Sequence, residues 1–279
     1  MTRRRAPVLV SAHRCGAGDA DALENSLAAL EHALAIGADF VEFDVQRCRD
    51  GALVVAHDDW VRSGDDRVPI ADLTLAELTG LTRHQAPVLR YEQVLDALAG
   101  SAARAHVDLK FTSPGAAYAD PASTREVVAT ALAVDRLGAG NVIVTTLHDR
   151  AVRALRDWSD EHELGLLVGL SLGRSVAGLP WHRQLRIRLS ELLPRLRYLE
   201  SRANLVVANH ALARAGVARF ARRRGLPLLV WTVDTPGALR YWMHPGRAWL
   251  VTTNHPRTAL EIRDDRIARL SGRLSDRQA

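Results

Sequence analysis

The alternation of short apolar runs with helical patterns is the feature that most constrains how this chain can fold. About nine segments have the length and composition of strands, and most of them are followed by a helical pattern. The predicted strands are residues 8–12, 40–46, 53–57, 105–110, 142–146, 164–170, 205–208, 228–233 and 249–252. Several are apolar almost throughout, as is typical of a parallel sheet that helices cover on both faces.

Strands that alternate with helices over 279 residues suit one (β/α)8 barrel, which typically needs about 250 residues. We therefore predict a single-domain α/β protein, a somewhat distorted TIM barrel. Its core would span about residues 8–260, and a charged C-terminal tail would follow at 261–279. The surplus strand is 53–57, which follows the Asp50-Gly51 turn without an intervening helix, and its direction stays open. A doubly wound open sheet is the alternative fold.

Composition narrows the class of protein. A hydrophobic content of 47% excludes a disordered chain, and two cysteines exclude a disulfide scaffold. No apolar run reaches the roughly 18 residues that a membrane span requires, and the N-terminal apolar run is too short for a signal peptide. We therefore expect a cytoplasmic protein. The 37 basic residues are spread among 32 acidic ones, which predicts no nucleic-acid partner and a mild preference for anionic ligands.

Reactive side chains collect at the ends of the first four predicted strands. In a parallel barrel the carboxyl ends of all strands meet at one rim, where the active site lies. The residues concerned are His13, Arg14, Glu42, Asp44, His57, Asp108 and Lys110. Lys110 is the only lysine among the 37 basic residues, and a compact ammonium group differs from a guanidinium at a crowded site. We therefore expect Lys110 to have a specific role.

The acidic residues in this group form a candidate metal site. Glu42 and Asp44 are two residues apart on one strand, so their side chains point to the same face and repel each other unless a positive charge lies between them. A hard divalent cation with oxygen ligands would satisfy both carboxylates together with Asp108. The alternative is that Glu42 and Asp44 form ion pairs with nearby arginines.

The sequence from residue 10 to residue 58, with two later motifs, resembles the glycerophosphodiester phosphodiesterase family. That family has a His-Arg-Gly strand end, Glu-Asn-Thr at a helix start, a Gly-Ala-Asp segment, Glu-x-Asp-Val, Thr-x-Asp-Gly, a His-Asp strand end, Glu-x-Lys and Trp-Thr-Val-Asn. The counterparts here are His13-Arg14-Cys15, Glu24-Asn25-Ser26, Gly37-Ala38-Asp39, Glu42-Phe43-Asp44-Val45, Cys48-Arg49-Asp50-Gly51, His57-Asp58, Asp108-Leu109-Lys110 and Trp231-Thr232-Val233-Asp234. Together these motifs are specific, and they span most of residues 8–256.

The resemblance implies a metal-dependent TIM-barrel phosphodiesterase that hydrolyses glycerophosphodiesters to glycerol 3-phosphate and an alcohol. It implies that the three carboxylates bind one divalent cation, Mg²⁺ or Ca²⁺, and that Arg14 and Lys110 bind the phosphate of the substrate. His13 and His57 would be the general base and general acid, with His57 favoured as the acid. In the family the glycerol hydroxyl attacks first, giving a cyclic phosphate that water opens.

Two further residues are placed behind those that contact the substrate. Glu24 matches the family motif, although it could merely belong to a helix N-terminus that Asn25 or Ser26 caps. Trp231 matches the late strand, and we assign it to packing of the barrel in preference to a platform for substrate.

Departures from the family pattern bear on the substrate more than on the reaction class. Cys15 stands where the family has glycine, and its Cβ restricts the backbone. Residues 16–23 form a longer segment than usual. Asp108 replaces glutamate and is one methylene shorter, and Asn254 falls where an aspartate often occurs. Two other functions therefore stay open, a lysophospholipase D or similar phosphodiesterase of the same fold, and a non-catalytic phosphate-binding relative.

Residues 171–200 follow the predicted strand 164–170 on the same rim. They combine a leucine stripe with several arginines. The stripe suits a barrel helix that packs on the sheet, and the alternative is a weak contact with a membrane surface at the active-site mouth. The sequence leaves the oligomeric state open.

Overall fold

The fold was analysed in a computed structural model that describes residues 6–16, 18, 24–82 and 87–275. Eight parallel strands form a closed barrel, so the predicted TIM barrel is confirmed. In chain order these strands are β1 (Leu9–Ala12), β2 (Phe40–Arg47), β6 (Arg104–Leu109), β7 (Val142–Thr146), β8 (Leu167–Leu172), β9 (Leu205–Asn209), β10 (Leu228–Trp231) and β11 (Leu250–Thr253). Strand β1 pairs with both β2 and β11, which closes the sheet and rules out the open doubly wound alternative.

The surplus strand is β3 (Leu53–Val55), and it lies outside the barrel. It pairs antiparallel with β2 after the turn at Asp50 and Gly51, which settles the direction that the sequence left open. A hairpin of β4 (Trp60–Ser63) and β5 (Asp66–Pro69), which the sequence analysis missed, follows β3. These short strands carry polar and exposed residues and make a separate two-stranded sheet. Their hydrophobic periodicity is therefore weak.

Helices alternate with the strands as predicted. They are α1 (Leu27–Ala35), α2 (Leu75–Thr82), α3 (Tyr91–Ala99), α4 (Arg125–Leu137), α5 (Asp149–Glu161), α6 (Trp181–Leu192), α7 (Arg195–Ser201), α8 (His210–Leu212), α9 (Ala218–Arg224), α10 (Pro236–Trp242) and α11 (Pro256–Ser275). A π-helical turn, Ala213–Val217, joins α8 to α9. In the part of the chain that the structure describes, no helix combines the length and the apolar character of a membrane span.

Two expectations about helices need correction. The leucine stripe of residues 171–200 suits one barrel helix, predicted over 182–199, but the structure has two helices there, α6 and α7. The break follows because Pro194 cannot donate the hydrogen bond that would continue α6. Residues 261–275, assigned to a charged tail, continue α11, whose buried Ala259 and Leu260 anchor it to the barrel. The segment 16–23, expected to be long, lies largely outside the described residues.

The barrel interior changes from apolar to polar towards the rim. Alternate residues of each strand point inward, and Phe40, Ile143, Leu205, Leu229 and Leu250 fill the lower interior as one cluster. Their neighbours in the strands point outward and pack under the helices. Closer to the carboxyl ends of the strands, the inward positions of β2, β6 and β7 carry Glu42, Asp44, His106, Asp108 and Thr145; Glu42 pairs with His106, and Asp44, Asp108 and Thr145 are in register. The upper interior therefore holds the polar residues.

Candidate active site

The ends of β1, β2, β6 and β7 surround a cavity of about 120 Å³ at the top of the barrel. Asp44 is paired with Asp108, and Asp108 with Thr145, so these three side chains lie level on adjacent strands. The cavity is lined by all the predicted catalytic, phosphate-binding and metal-binding residues and by Trp231: His13, Arg14, Glu42, Asp44, His57, Asp108, Lys110 and Trp231. The rim predicted from the strand ends thus exists as one site.

Three carboxylates form the centre of the site. Glu42, Asp44 and Asp108 each offer an oxygen atom within 4.8 Å of the other two, and Glu42 and Asp44 are buried. Burial, followed by the charges of Asp44 and Asp108, raises the pKa of Glu42 well above its usual range. The backbone N–H of Arg14 donates to Glu42 Oε2 at 2.7 Å and offsets only part of this cost. Glu42 therefore stands in a strongly negative environment.

Lys110 is the nearest cation to these carboxylates. Its Nζ lies 2.9 Å from Asp44 Oδ1 and also donates to Asp108. Burial alone would lower the pKa of Lys110, but Asp108, Asp44 and Glu42 reverse the effect and hold the pKa above its usual value. Burial would likewise raise the pKa of Asp44, yet Lys110 lowers it to about 2. The ion pair keeps both groups charged.

The turn after β1 brings Arg14 into the site. Arg14 and Cys15 adopt positive φ angles of 48° and 64° there, a left-handed conformation that is uncommon for residues with a side chain. The Arg14 guanidinium pairs with Glu24, and its Nε lies 3.6 Å from Asp44 Oδ2. Asn25 Nδ2 donates to the same Asp44 oxygen at 3.1 Å. The ion pairing considered as the alternative for Asp44 therefore exists, with both Arg14 and Lys110.

His13 is held by residues from the other end of the chain. Its Nδ1 lies 2.7 Å from Asn254 Oδ1, while the Asn254 amide Nδ2 donates to Asp234 at 3.0 Å and so fixes which way the amide faces. An amide oxygen only accepts, so His13 carries its proton on Nδ1. Its Nε2 faces the site, 3.9 Å from Glu42 Oε2, with a free lone pair. Burial lowers the pKa of His13, against the effect of the Asn254 hydrogen bond.

His57 lines the opposite, more open side of the cavity. It follows β3, its side chain is 45% exposed, and its Nδ1 lies 2.9 Å from Asp58 Oδ1. The charge of His57 contributes to the low pKa of Asp44, which places the ring within electrostatic reach of the carboxylates. The two histidines therefore face one cavity from different environments, one buried and one in contact with solvent.

His106 belongs to the site and was missed by the sequence analysis. Thr145 donates to Asp108 Oδ1 at 2.6 Å, His106 Nε2 lies 3.1 Å from Thr145 Oγ1, and Ser11 Oγ lies 3.2 Å from His106 Nδ1. The Thr145 hydroxyl donates its one proton to Asp108. In the hydrogen bond between Thr145 and His106, the donor is therefore His106 Nε2. The position of His106, two residues before Asp108 on the same face of β6, was the available signal.

The residues present fit a divalent cation. Among the residues that the structure describes, four carboxylates in the site, those of Glu24, Glu42, Asp44 and Asp108, face two permanent cations, Arg14 and Lys110. Two negative charges remain in excess, and oxygen ligands are those that Mg²⁺ and Ca²⁺ prefer. Buried polar atoms without a hydrogen-bond partner among the described residues also cluster here: Arg14 Nε, Asn25 Oδ1, Trp231 Nε1 and Thr252 Oγ1. Such atoms indicate a polar ligand.

Comparison with known proteins agrees with this geometry. Residues 13–258 match the model of the glycerophosphoryl diester phosphodiesterase family. The chain belongs to this family. The predicted resemblance is confirmed, and so is the prediction that the chain is a phosphoric diester hydrolase, at the level of the family.

Three relatives show how far the similarity extends. A glycerophosphodiester phosphodiesterase of Caldanaerobacter subterraneus is 26% identical over 269 residues, covering 91% of this chain and 97% of that protein. A lysophospholipase D of Mus musculus is 48% identical over 52 residues, only 19% of this chain and 15% of the mouse protein. A crystal structure of a glycerophosphodiester phosphodiesterase from Parabacteroides distasonis superimposes with a TM-score of 0.72 at 20% identity, covering 94% of this chain and 99% of that one, and so shares the fold.

The departures from the phosphodiesterase motifs have visible structural consequences. Cys15 takes a left-handed conformation that a glycine would adopt without strain, and it does so fully buried. Gly16, which follows, could not be another residue without crowding, because a Cβ there would lie 3.1 Å from both Ala12 and Ala33. Asn254 supplies a neutral acceptor to His13 where an aspartate would supply a charged one.

Trp231 and Glu24 both lie next to the residues of the site. Trp231 packs against the interior cluster, and it also lines the cavity with an N–H that has no partner among the described residues. Glu24 pairs with Arg14 and precedes Ser26, whose hydroxyl accepts from Ala29 N and caps α1. Glu24 therefore holds Arg14, and the capping role falls to Ser26.

Proposed function

We propose that this phosphodiesterase hydrolyses glycerophosphodiesters to glycerol 3-phosphate and an alcohol, by proton transfer through His13 and His57 with one divalent cation. The observation that carries the proposal is a single cavity lined by two histidines, two cations and three carboxylates within 4.8 Å of one another. A phosphodiester needs its charge neutralised, a nucleophile activated and a departing alkoxide protonated. Each need has a residue in the cavity.

The cation would be held by Glu42, Asp44 and Asp108. When bound, Mg²⁺ or Ca²⁺ supplies charge to neutralise a phosphate oxygen and acidify a hydroxyl. Thr145 and Lys110 fix the orientation of Asp108, and Asn25 fixes that of Asp44. This support suits a site in which the shorter Asp108 must still reach the cation.

His13 and His57 would divide the proton transfers. His13 Nε2, with its free lone pair and lowered pKa, takes the proton of the glycerol hydroxyl as that oxygen attacks phosphorus. The bond from phosphorus to the alcohol breaks, and His57, at the open side, gives its proton to the departing alkoxide. Water then opens the cyclic phosphate with the two histidines in reversed roles. This assignment keeps His57 as the acid.

Arg14 and Lys110 would bind the remaining phosphate oxygens by charge-assisted hydrogen bonds. Glu24 holds the Arg14 guanidinium, and the carboxylates hold the Lys110 ammonium, so neither must be ordered on binding. The Trp231 N–H and the Thr252 hydroxyl, both buried without partners among the described residues, are available to the glycerol hydroxyls.

The proposal is tested by assaying glycerophosphocholine and glycerophosphoethanolamine with and without EDTA, followed by addition of Mg²⁺ or Ca²⁺. We expect turnover that EDTA abolishes and the metal restores.

His13→Gln and His57→Gln should each lower kcat by about 10²- to 10⁴-fold, the usual contribution of general acid–base catalysis. His32→Gln, an exposed histidine on α1, is the matched control. Near-full activity in either catalytic variant would refute its role, and no turnover of any diester would indicate a non-catalytic relative.

A lysophospholipase D is the second candidate, and two observations favour it. The 52-residue match to the mouse enzyme is closer than the full-length match, and apolar side chains stand exposed on α6 and α7. These exposed apolar side chains are Trp181, Leu185, Leu189, Leu193, Leu196 and Leu199, and together they are here called the rim stripe. Turnover of a lysophospholipid without turnover of the two soluble diesters would select this function.

The rim stripe also supports a weak contact between residues 171–200 and a membrane surface. Trp181 is 75% exposed and Leu193 73%, with arginines around them, so packing on the barrel does not account for the stripe. We expect co-sedimentation with anionic vesicles at low salt and a clear loss in the double variant Trp181→Ser, Leu193→Ser. Absence of binding by the unaltered protein would exclude the contact. A cytoplasmic location remains part of the proposal, and the two buried free cysteines are compatible with it.

A further inference from the structure

A larger cavity, of about 660 Å³, lies beside the proposed active site. We call it the side cleft; it is formed by the segments that follow β6, β7 and β8 and by one face of α6. Leu147 and Ser171 line both the side cleft and the catalytic cavity, so the two spaces share a wall at the barrel rim. The catalytic cavity, at about 120 Å³, is the smaller of the two. A diester whose phosphate lies in it therefore has the side cleft as adjoining space for its alcohol half.

The carboxylates of the side cleft are already neutralised. In the described part of the chain they are Asp149 and Glu191. Asp149 accepts two hydrogen bonds from Arg197, at 2.9 and 2.7 Å. Glu191, buried, accepts from Arg188 at 2.6 Å and from the backbone N–H groups of Gly173 and Arg174. Neither carboxylate is therefore available to a cationic ligand.

Two guanidinium groups of the side cleft have no such compensation. The side chains of Arg150 and Arg174 make no ion pair or hydrogen bond with any residue that the structure describes, and both line the cleft. Arg150 Nη1 lies 3.7 Å from the point where a Cβ on Gly115 would stand, so the missing side chain leaves it room. Glu191 holds the backbone of Arg174 at the cleft edge. The residues that line the side cleft thus carry an excess of two positive charges, while the buried Glu126, which accepts from Ser113 and Tyr118, lies behind the cleft wall.

We propose that the side cleft receives the alcohol half of the substrate and selects alcohols that carry an anionic group, a carboxylate or a phosphate. The inference rests on the proposed function and adds the substrate class. Two uncompensated guanidiniums attract such a group and offer planar donor pairs to it, whereas they repel the quaternary ammonium of choline. A neutral alcohol is neither attracted nor repelled. The charge of the alcohol therefore determines the preference among glycerophosphodiesters.

The test compares four diesters that share the glycerophosphoryl half. The alcohols are glycerol phosphate, glycolate, glycerol and choline, so that the first two distinguish a phosphate from a carboxylate. We expect kcat/KM to be highest for one or both anionic alcohols and about tenfold or more lower for choline at low salt. The preference should shrink at 0.5 M NaCl because salt screens exposed charges. Equal or better turnover of the choline diester would overturn the inference.

Variants separate the side cleft from the catalytic residues. Arg150→Ala and Arg174→Ala should each lower kcat/KM for the anionic diesters about three- to tenfold more than for the neutral glycerol diester. Arg183→Ala removes the same charge from α6 outside the cleft and should change neither. An equal loss on all four diesters would also refute the selection by charge. If the neutral and choline diesters are hydrolysed without an anionic preference, only this inference fails; if no diester is hydrolysed, the proposed function fails and the inference with it.

Discussion

Single residues of the catalytic site depend on partners that are remote in sequence. His13 is oriented by Asn254 and, through it, by Asp234, so the lone pair on Nε2 points at the site. Asp108 is oriented by Thr145, which in turn is fixed by His106. Asn254, Thr145 and His106 are neutral supports, and the Asp234 carboxylate behind Asn254 accepts hydrogen bonds from Asn254 and Thr253, so these supports orient the site residues without placing a further charge in the cavity.

His106 gives a prediction about stability and pH. Burial lowers its pKa to about 4 in the folded protein, whereas an unfolded histidine titrates near 6.5. Between these values the unfolded chain binds a proton that the folded protein does not, so stability falls as the pH drops through this window. We expect His106 to account for about 2 kcal/mol of the free energy of unfolding lost between pH 7 and pH 5.

Urea unfolding at both pH values in EDTA measures this loss. His106→Gln should lose correspondingly less stability than the unaltered protein, while the exposed His32→Gln should lose the same amount. An identical pH dependence in His106→Gln would show that His106 does not titrate in this way.

At the scale of elements, the packing of neighbouring strands sets the shape of the cavity. Strand β8 carries Gly169 at an inward position, next to Thr145 of β7 and Leu205 of β9. The side chain of Val207 occupies the space that a residue other than glycine would need there. The barrel can therefore close tightly at β8 while leaving Val207 to line the active site.

Gly169→Ala tests this close packing. Its Cβ would lie 2.4 Å from Val207 Cγ2 and 3.2 Å from Thr145 Cγ2, so both neighbours must move. We expect a destabilisation of about 1–3 kcal/mol, the usual cost of overpacking, measured by urea unfolding. The matched control is Gly80→Ala in α2, where a Cβ meets nothing within 4 Å and should stabilise the helix by about 0.5–1 kcal/mol. Equal effects of the two substitutions would refute the packing explanation.

At the scale of the whole molecule, the barrel holds close together carboxylates that repel one another. Pairing of β2 with β6 brings carboxylates from two strands within 4.8 Å of one another, and closure by β1 with both β2 and β11 adds the turn that carries His13 and Arg14. Burial and the neighbouring charges raise the pKa of Glu42, which means that its ionised form is destabilised in the folded state. The fold therefore bears an electrostatic cost at the site, and a bound cation would relieve it.

Thermal unfolding should show this relief. Addition of Mg²⁺ or Ca²⁺ to EDTA-treated protein is expected to raise Tm, because a ligand that binds only the folded state stabilises it. Glu42→Gln should raise Tm without metal by a few degrees, since it removes a disfavoured charge, and should reduce the rise that metal causes. Glu31→Gln, exposed on α1, should do neither. A metal-induced rise in Glu42→Gln as large as in the unaltered protein would exclude Glu42 as a ligand.

The sequence alone determined the barrel, its strands and the group of residues at the rim. Hydrophobic periodicity is a local property, and the convergence of strand ends follows from parallel pairing, so Glu42, Asp44, Asp108 and Lys110 could be placed together without coordinates. The strand ends also placed His13, Arg14 and His57 at the rim, and the family motifs added their roles. Local signals were insufficient for the β4–β5 hairpin, whose residues are half-buried or exposed, and for the break at Pro194.

Only the tertiary structure decided what the residues do to one another. Asn254 selects the tautomer of His13, and His106 and Thr145 orient Asp108. Arg150 and Arg174 are left uncompensated. All three results depend on distances between side chains from separate strands and loops. Hydrogen bonds and Coulomb interactions act over a few ångströms. The sequence specifies which groups are present near the rim, and closure of the barrel determines which of them meet.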